Sequence, residues 1–257
     1  MYTTCPKCSY ERRETDTADA GTCPACGIIF SKWMKQQFSS PETNTNHKIS
    51  TASAEHRNLL ELFNNTVLYI EPNINPFFYY GRVIAFVLML YLGWSFITLD
   101  FHENPYPLAD TFLHNIHLIF HEAGHVIFMP FGRFIAILGG TLGQLIMPTV
   151  VMGTFLYKQN TFAATVGLWW LAHSFMDIAP YIDDAIVQKL VLLGGHTGAD
   201  APGNHDWGNI LIEINRIEKC YDYANNAYNI GTFLMFVAFA WGAYILFYQY
   251  KNIDKRF

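Results

Sequence analysis

Residues 121 to 125 of this chain read His121-Glu122-Ala123-Gly124-His125, the pattern His-Glu-x-x-His. On an α-helix, positions i and i+4 share a face. His121 and His125 can therefore aim two imidazole nitrogens at one metal ion, while Glu122 acts on an activated water as general base. The motif lies in the middle of an apolar stretch of spanning length, Thr111 to Phe131. Ionisable side chains in hydrocarbon are costly unless they are paired or coordinating, and one metal ion satisfies this need for the whole motif. A polar helix–helix contact or a water-lined cavity is the alternative use of the same residues. His114 and His117 extend the pattern, since His114, His117, His121 and His125 form one stripe along the helix. His117 could be a ligand or an outer partner, although such a histidine is more often a hydrogen-bonded interior residue.

A catalytic zinc site uses three protein ligands and keeps one position open. The candidates for the third ligand are carboxylates at the end of another apolar stretch, where Asp177, Pro180, Asp183 and Asp184 follow His173. A carboxylate brought from there against His121 and His125 would complete a two-histidine, one-carboxylate site. Asp183 and Asp184 could instead solvate or cap a helix end. His205, in a glycine-rich loop further along, is a further candidate ligand. Between these segments lies Gly139-Gly140-Thr141-Leu142-Gly143-Gln144. Gly139 and Gly143 make a small-xxx-small face for close helix packing, and Gly140 and Gln144 are candidates for binding an extended substrate.

A second cluster of metal-ligating type stands near the amino end. Cys5-Pro-Lys-Cys8 and Cys23-Pro-Ala-Cys26 are two CxxC knuckles with fourteen residues between them. That spacing fits a zinc ribbon, in which four thiolates hold one tetrahedral Zn²⁺ and the ion supplies the folding energy that so small a module lacks. Two disulfides are the alternative, but they require an oxidising compartment and leave Cys220 as an odd thiol. The ribbon's own role stays open between protein docking, nucleic-acid contact and a pure folding module.

The elements that must carry these groups follow from composition and hydropathy. The chain has 257 residues, 51% hydrophobic and 14% charged, a balance that fits a small polytopic membrane protein. A net charge of −5 argues against a nucleic-acid binder. The polar first 60 residues contain no apolar signal core, so the amino end is expected in the cytosol. The expected organisation is a zinc ribbon over 1–38, a linker and membrane approach over 39–76, and a transmembrane domain over 77–257, its core at 111–195. The fold class is all-α polytopic, with about five transmembrane helices: Phe77 to Leu99, Thr111 to Pro130, Phe134 to Tyr157, Thr161 to Pro180 and Asn226 to Tyr248. Arg82 would snorkel at one end of the first, and Pro180 would break the fourth. The loop from Asp100 to Asp110, without Lys or Arg, is expected outside. The basic tail Lys251, Lys255 and Arg256 conflicts with that topology by the same rule. Ala185 to Leu193 is too short to cross alone and reads as a strand, a re-entrant piece or an interfacial one. Trp207 to Cys220 reads as an amphipathic surface helix capped by Asp206.

Together, HEAGH inside a membrane helix and the later Asp177-Ile-Ala-Pro180-Tyr-Ile-Asp183-Asp184 resemble the site-2 protease family of intramembrane zinc metalloproteases, which has Asn-x-x-Pro followed by Leu-Asp-Gly. The resemblance covers about residues 111 to 195. It implies that His121 and His125 are zinc ligands, Glu122 the base, and Asp184 or Asp183 the third ligand. Asp177 stands where the family has Asn, and Ala185 where it has Gly. The implied activity is hydrolysis of a peptide bond in a membrane-embedded substrate, with one catalytic and one structural Zn²⁺. The implied partners are the bilayer, a membrane-protein or peptide substrate, and a cytosolic protein for the ribbon. The implied place is the cytoplasmic (inner) membrane with the ribbon in the cytosol. The alternative is a non-catalytic membrane adapter or sensor with a structural metal site.

Overall fold

A computed structural model describes residues 3–33, 59–109 and 111–253. The chain divides into two units, Met1–His56 and Arg57–Phe257. Most of the expected linker lies outside the described residues, as do Lys255 and Arg256.

In the first unit the two CxxC segments fold the same way. Ser9 and Gly27 hold left-handed backbone (φ 57° and 70°), which turns each chain back on itself. In the first knuckle the Ser9 amide donates to the Cys5 carbonyl and the Cys5 amide to the Tyr10 carbonyl. In the second, the Gly27 amide donates to the Cys23 carbonyl and the Cys23 amide to the Ile28 carbonyl. Each turn leaves both of its sulfurs on one side, and Phe30, Tyr10 and Ile28 pack behind the buried Cys5 and Cys23.

The second unit is helical, and its described residues hold only isolated β-bridges. Its helices are α1 (Leu59–Val67), α2 (Pro76–Ile97), α3 (Tyr106–Ala109), α4 (Phe112–Phe128), α5 (Arg133–Tyr157), α6 (Thr161–Asp183), α7 (Asp206–Glu213) and α8 (Cys220–Lys251). Three segments are long and apolar enough to cross a membrane: Pro76–Ile97, Arg133–Tyr157 and Ile217–Lys251. α4 has 17 residues. At 1.5 Å per residue it reaches about 26 Å, short of the ~30 Å hydrocarbon core. α6 is long enough, but Thr165, His173, Ser174 and Asp177 dilute its hydropathy, and it serves as the central helix of the unit. Sixteen of its 23 residues are buried, against α8 along one side and α5 along another.

Turn chemistry sets the order of these helices. α5 ends with Gln159 in left-handed backbone (φ 55°); its amide donates to the Leu156 carbonyl, and the Asn160 amide to the Phe155 carbonyl. This is the Schellman arrangement. Asn160 then caps α6 by accepting from the Ala163 amide, so the chain reverses within two residues. The α4–α5 turn uses Gly132 (φ 94°). Those two helices touch backbone to backbone: a Cβ on Gly124 would lie 2.0 Å from the Gly139 carbonyl oxygen, and one on Gly143 would lie 2.3 Å from that of Phe120.

Three boundaries differ from the sequence expectation. α6 continues through Pro180 to Asp183, because a proline this near a helix end removes only one interior amide bond. The surface helix stops at Glu213, where Asn215 takes left-handed backbone (φ 55°) and a second Schellman pair forms, Asn215 to Ile212 and Arg216 to Leu211. α8 consequently starts at Cys220 rather than Asn226. Arg82 also does not stand alone, since it pairs with Glu71.

Candidate metal centre

The HEAGH helix begins at Thr111, whose hydroxyl accepts from the His114 amide as N-cap. Its close approach to α5 holds the imidazoles against the Gly140 backbone. A Cβ at Gly140 would lie 2.5 Å from His121 Nε2 and 2.6 Å from His125 Nε2, so only glycine leaves room for both rings. His125 Nδ1 lies 2.8 Å from the Ala136 carbonyl oxygen. A carbonyl can only accept, so Nδ1 carries a proton there; Nε2 faces the Asp206 carboxylate, to which it donates without an ion, and it would give up that proton to present a lone pair to a metal.

The carboxylate that meets the two imidazoles is Asp206. Its Oδ2 is 2.9 Å from His121 Nε2 and 3.2 Å from His125 Nε2. These three atoms form one of the two groups among the described residues that could hold a metal ion. Tetrahedral zinc with bonds of 2.0–2.1 Å spaces its ligand atoms about 3.3 Å apart, and the two distances from Asp206 Oδ2 match that after opening by at most a few tenths of an ångström. Burial pushes the Asp206 carboxyl up, but the hydrogen bonds from His121 and His125 outweigh it and hold it down at about 2. Asp206 is thus a carboxylate at neutral pH, as a ligand must be.

Asp177, Asp184 and His205, offered by the sequence as ligands, are engaged elsewhere. Asp177 is buried and accepts from His114 Nδ1 (2.9 Å), His117 Nδ1 (2.9 Å) and Gln144 Nε2 (2.8 Å). Asp184 caps the turn after α6, accepting the Lys189 and Leu190 amides at 2.9 and 2.8 Å. Asp183 reaches His102 at 2.8 Å. His205 takes the capping role that the sequence gave to Asp206: its Nδ1 accepts the Gly208 amide at 3.0 Å, and its Nε2 faces Asp184. With the cap filled by its neighbour, the Asp206 side chain is free to turn toward α4.

His117 is an interior hydrogen-bonded histidine. Its Nε2 accepts from Trp170 Nε1 at 2.8 Å, and an indole N–H can only donate, so His117 is neutral with its proton on Nδ1 toward Asp177. Ser174 Oγ also meets Nε2, at 3.0 Å. Gln144 is part of this network, and Gly140 backs the imidazoles.

A cavity of about 710 Å³ opens beside His121, His125 and Asp206. Glu122, Thr141 and Tyr181 line it together with the Leu190–Gly194 turn. Thr141 is buried, and its hydroxyl has no hydrogen-bond partner among the described residues. The Val191↔Thr197 bridge is closed by the Leu192 amide donating to the His196 carbonyl at 2.8 Å. That pattern turns the Val191 N–H and C=O outward as an open edge.

No family model, curated protein or solved structure matches this chain.

The cysteine group at the amino end has the geometry of a four-sulfur site. All four Sγ atoms lie within 4.8 Å of one another. The Cys5–Cys26 and Cys8–Cys23 contacts are 3.8 and 3.7 Å. Zinc–sulfur bonds of 2.3 Å in a tetrahedron put sulfurs about 3.8 Å apart, the separation of both of these contacts. None of the four is in a disulfide. Burial raises the Cys23 thiol, yet the Cys26 and Ala25 amides bring it down to about 6. The Tyr10 amide favours the thiolate at Cys8, but burial and the neighbouring sulfurs push that thiol up to about 12. Cys23 thus ionises more readily than a free thiol and Cys8 less readily.

Sequence reasoning missed Asp206, Tyr181 and Thr141. The available signal was His205-Asp206 at a helix start, where one of the two residues is enough for the cap.

Proposed function

We propose that this protein is a zinc-dependent intramembrane peptidase, distantly similar to the site-2 proteases. The observation that supports the reading is the convergence of His121 Nε2, His125 Nε2 and Asp206 Oδ2 on the wall of a cavity that Glu122 also lines. In this reading the two groups that fit a metal hold zinc, one structural on Cys5, Cys8, Cys23 and Cys26, and one catalytic. α2, α5, α6 and α8 traverse the bilayer in this reading, as does α4 once the 3-10 turn Met129–Phe131 that continues it is counted, with the ribbon in the cytosol of an inner-membrane protein and a cytosolic protein as its partner.

Zinc bound there would act as a Lewis acid and acidify a water. Glu122, beside His121 and exposed to the cavity, is placed to accept a proton from an attacking water whose oxygen would bond to the scissile carbonyl carbon. The carbonyl π electrons pass to oxygen; on collapse the C–N bond breaks, and Glu122 returns its proton to the leaving amine. A substrate helix must first unwind, because its carbonyls are hydrogen-bonded and shielded. The open edge at Val191, flanked by exposed Val191 and Leu193 side chains, suits pairing with an unwound apolar segment.

The test uses purified full-length protein in nanodiscs with a fluorogenic transmembrane peptide. Glu122→Gln retains about two zinc per chain and loses cleavage by at least about 100-fold. Cleavage unchanged in Glu122→Gln overturns the reading. A wild-type protein that holds zinc at this site with no exchangeable position favours the adapter alternative.

A further inference from the structure

We propose that Tyr181 is the hydrogen-bond donor to the substrate carbonyl oxygen as negative charge builds on it, an inference that rests on the peptidase reading. Tyr181 stands on α6 at the cavity wall, its ring 6.1 Å from that of His121 and 4.4 Å from that of His205. The Asp206 amide lies 2.9 Å from the phenol oxygen. An amide N–H only donates, so the phenol oxygen accepts that bond and its own proton must point elsewhere. The acceptor it meets is Asp206 Oδ2 at 3.4 Å, well beyond the 2.5–3.0 Å of a good O–H···O bond. The phenol is therefore anchored through its oxygen while its proton is only loosely held. Oδ2 is also the atom that His121 and His125 both face. Once Oδ2 commits its lone pairs to a ligand role, the phenol proton is left aimed at the point where the metal ligands converge.

This arrangement fulfils the requirement for oxyanion stabilisation: a neutral donor, fixed in advance by an unrelated bond, in a site partly shielded from water. Nothing is transferred from Tyr181. Its O–H strengthens one hydrogen bond as the carbonyl oxygen gains charge, and weakens it again on collapse. The competing role is positional, with Tyr181 holding Asp206 through the amide bond alone. The two roles differ in what Tyr181→Phe removes, since the variant keeps ring packing but loses both the acceptor and the donor.

The experiment compares wild type, Tyr181→Phe and Tyr181→Gln as full chains in nanodiscs, loaded with zinc. Three quantities are measured: zinc per chain, affinity for a phosphinate analogue of an apolar peptide by calorimetry, and kcat and KM for cleavage. Expected for Tyr181→Phe are unchanged zinc, phosphinate affinity down at least about 10-fold, and kcat down about 100- to 1,000-fold at a KM within about twofold. Tyr181→Gln, which restores a donor, recovers part of the phosphinate affinity. Equal phosphinate affinity in wild type and Tyr181→Phe overturns the proposal. Loss of zinc from Tyr181→Phe also overturns it, because the role is then positional. A wild type that binds zinc but neither the phosphinate nor the peptide overturns both this inference and the peptidase reading. Phosphinate binding that depends on Tyr181, in a protein whose cleavage survives Glu122→Gln, overturns the mechanism alone.

Discussion

Replacing Asp206 by Asn distinguishes the geometry described above from a site built on the α6 carboxylates. Asp206 Oδ2 lies 2.9 and 3.2 Å from the two imidazole nitrogens, whereas Asp177 and Asp184 spend their oxygens on side chains and amides elsewhere. Losing a partner that merely orients a ligand costs 10- to 100-fold in metal affinity. Losing one of three ligands should exceed that, so at least about 100-fold is expected, or about 2.8 kcal/mol. The assay is zinc per chain after dialysis against a chelator poised between the two affinities, read by elemental analysis. Wild type retains about two zinc, Asp206→Asn about one, and Asp184→Asn about two, since the ribbon is untouched in every case. In Asp184→Asn the Lys189 and Leu190 amides lose their acceptor, and the effect falls on protease sensitivity of that turn instead. Full zinc occupancy in Asp206→Asn, or its loss in Asp184→Asn, would refute the reasoning.

Further outcomes follow from the same coordinates. Gly140→Ala puts a Cβ 2.5–2.6 Å from both imidazole nitrogens, so it should displace the rings and remove the second zinc while helicity by circular dichroism is kept. Asp177→Leu leaves the donors of His114, His117 and Gln144 without their acceptor in a buried site; a loss of about 3–5 kcal/mol is expected in a denaturant titration, with Asp177→Asn milder. Cys23→Ser should remove the ribbon metal alone, leaving about one zinc per chain. The ribbon thiols must be deprotonated to bind, and Cys8 resists ionisation, so the ribbon's metal affinity falls as pH is lowered from 8 to 5, by about tenfold per unit for each proton taken up, in a chelator competition.

The parts of this molecule that were legible in the sequence are those in which the spacing is itself the geometry. HEAGH places two imidazoles on one helical face wherever it lies, and paired CxxC knuckles bring four sulfurs together within a short loop. Gly139 and Gly143 signalled the helix contact, because a helix interface without side chains has few other uses. The third ligand had no such marker. Asp206 is 81 residues beyond His125, on a different helix, and the turns at Gln159 and Gln188 are among those that bring it back. Those turns hold non-glycine residues in left-handed backbone, a choice that propensity alone does not foresee. Asp177 looked like a ligand because it stands in a carboxylate cluster at the end of an apolar helix, where it could meet the HEAGH helix. Here Trp170 fixes His117 as a neutral donor, and the carboxylate is fully satisfied without a metal.

The location of Asp206 ties metal binding to the closure of the chain around the cavity. His121 and His125 belong to a helix locked against α5 by backbone contact, so they are in place whether or not an ion is bound. Asp206 instead sits at the first turn of an eight-residue helix, between an irregular segment and a Schellman turn. Isolated helices of that length are marginal, and this one is positioned by a His205 cap and by an exposed Arg133–Glu213 pair of small worth. A cation shared by Asp206 and the two imidazoles would therefore add its binding energy where the local structure has least of its own. Removing it should loosen residues 185 to 219 before the helices around α6 respond. Hydrogen exchange with and without zinc reads this directly: protection should fall in α7 and the Val191–Thr197 turn, and hold in α5 and α6. Uniform loss across all of them would mean that the ion supports the whole bundle rather than the flap that completes its own site.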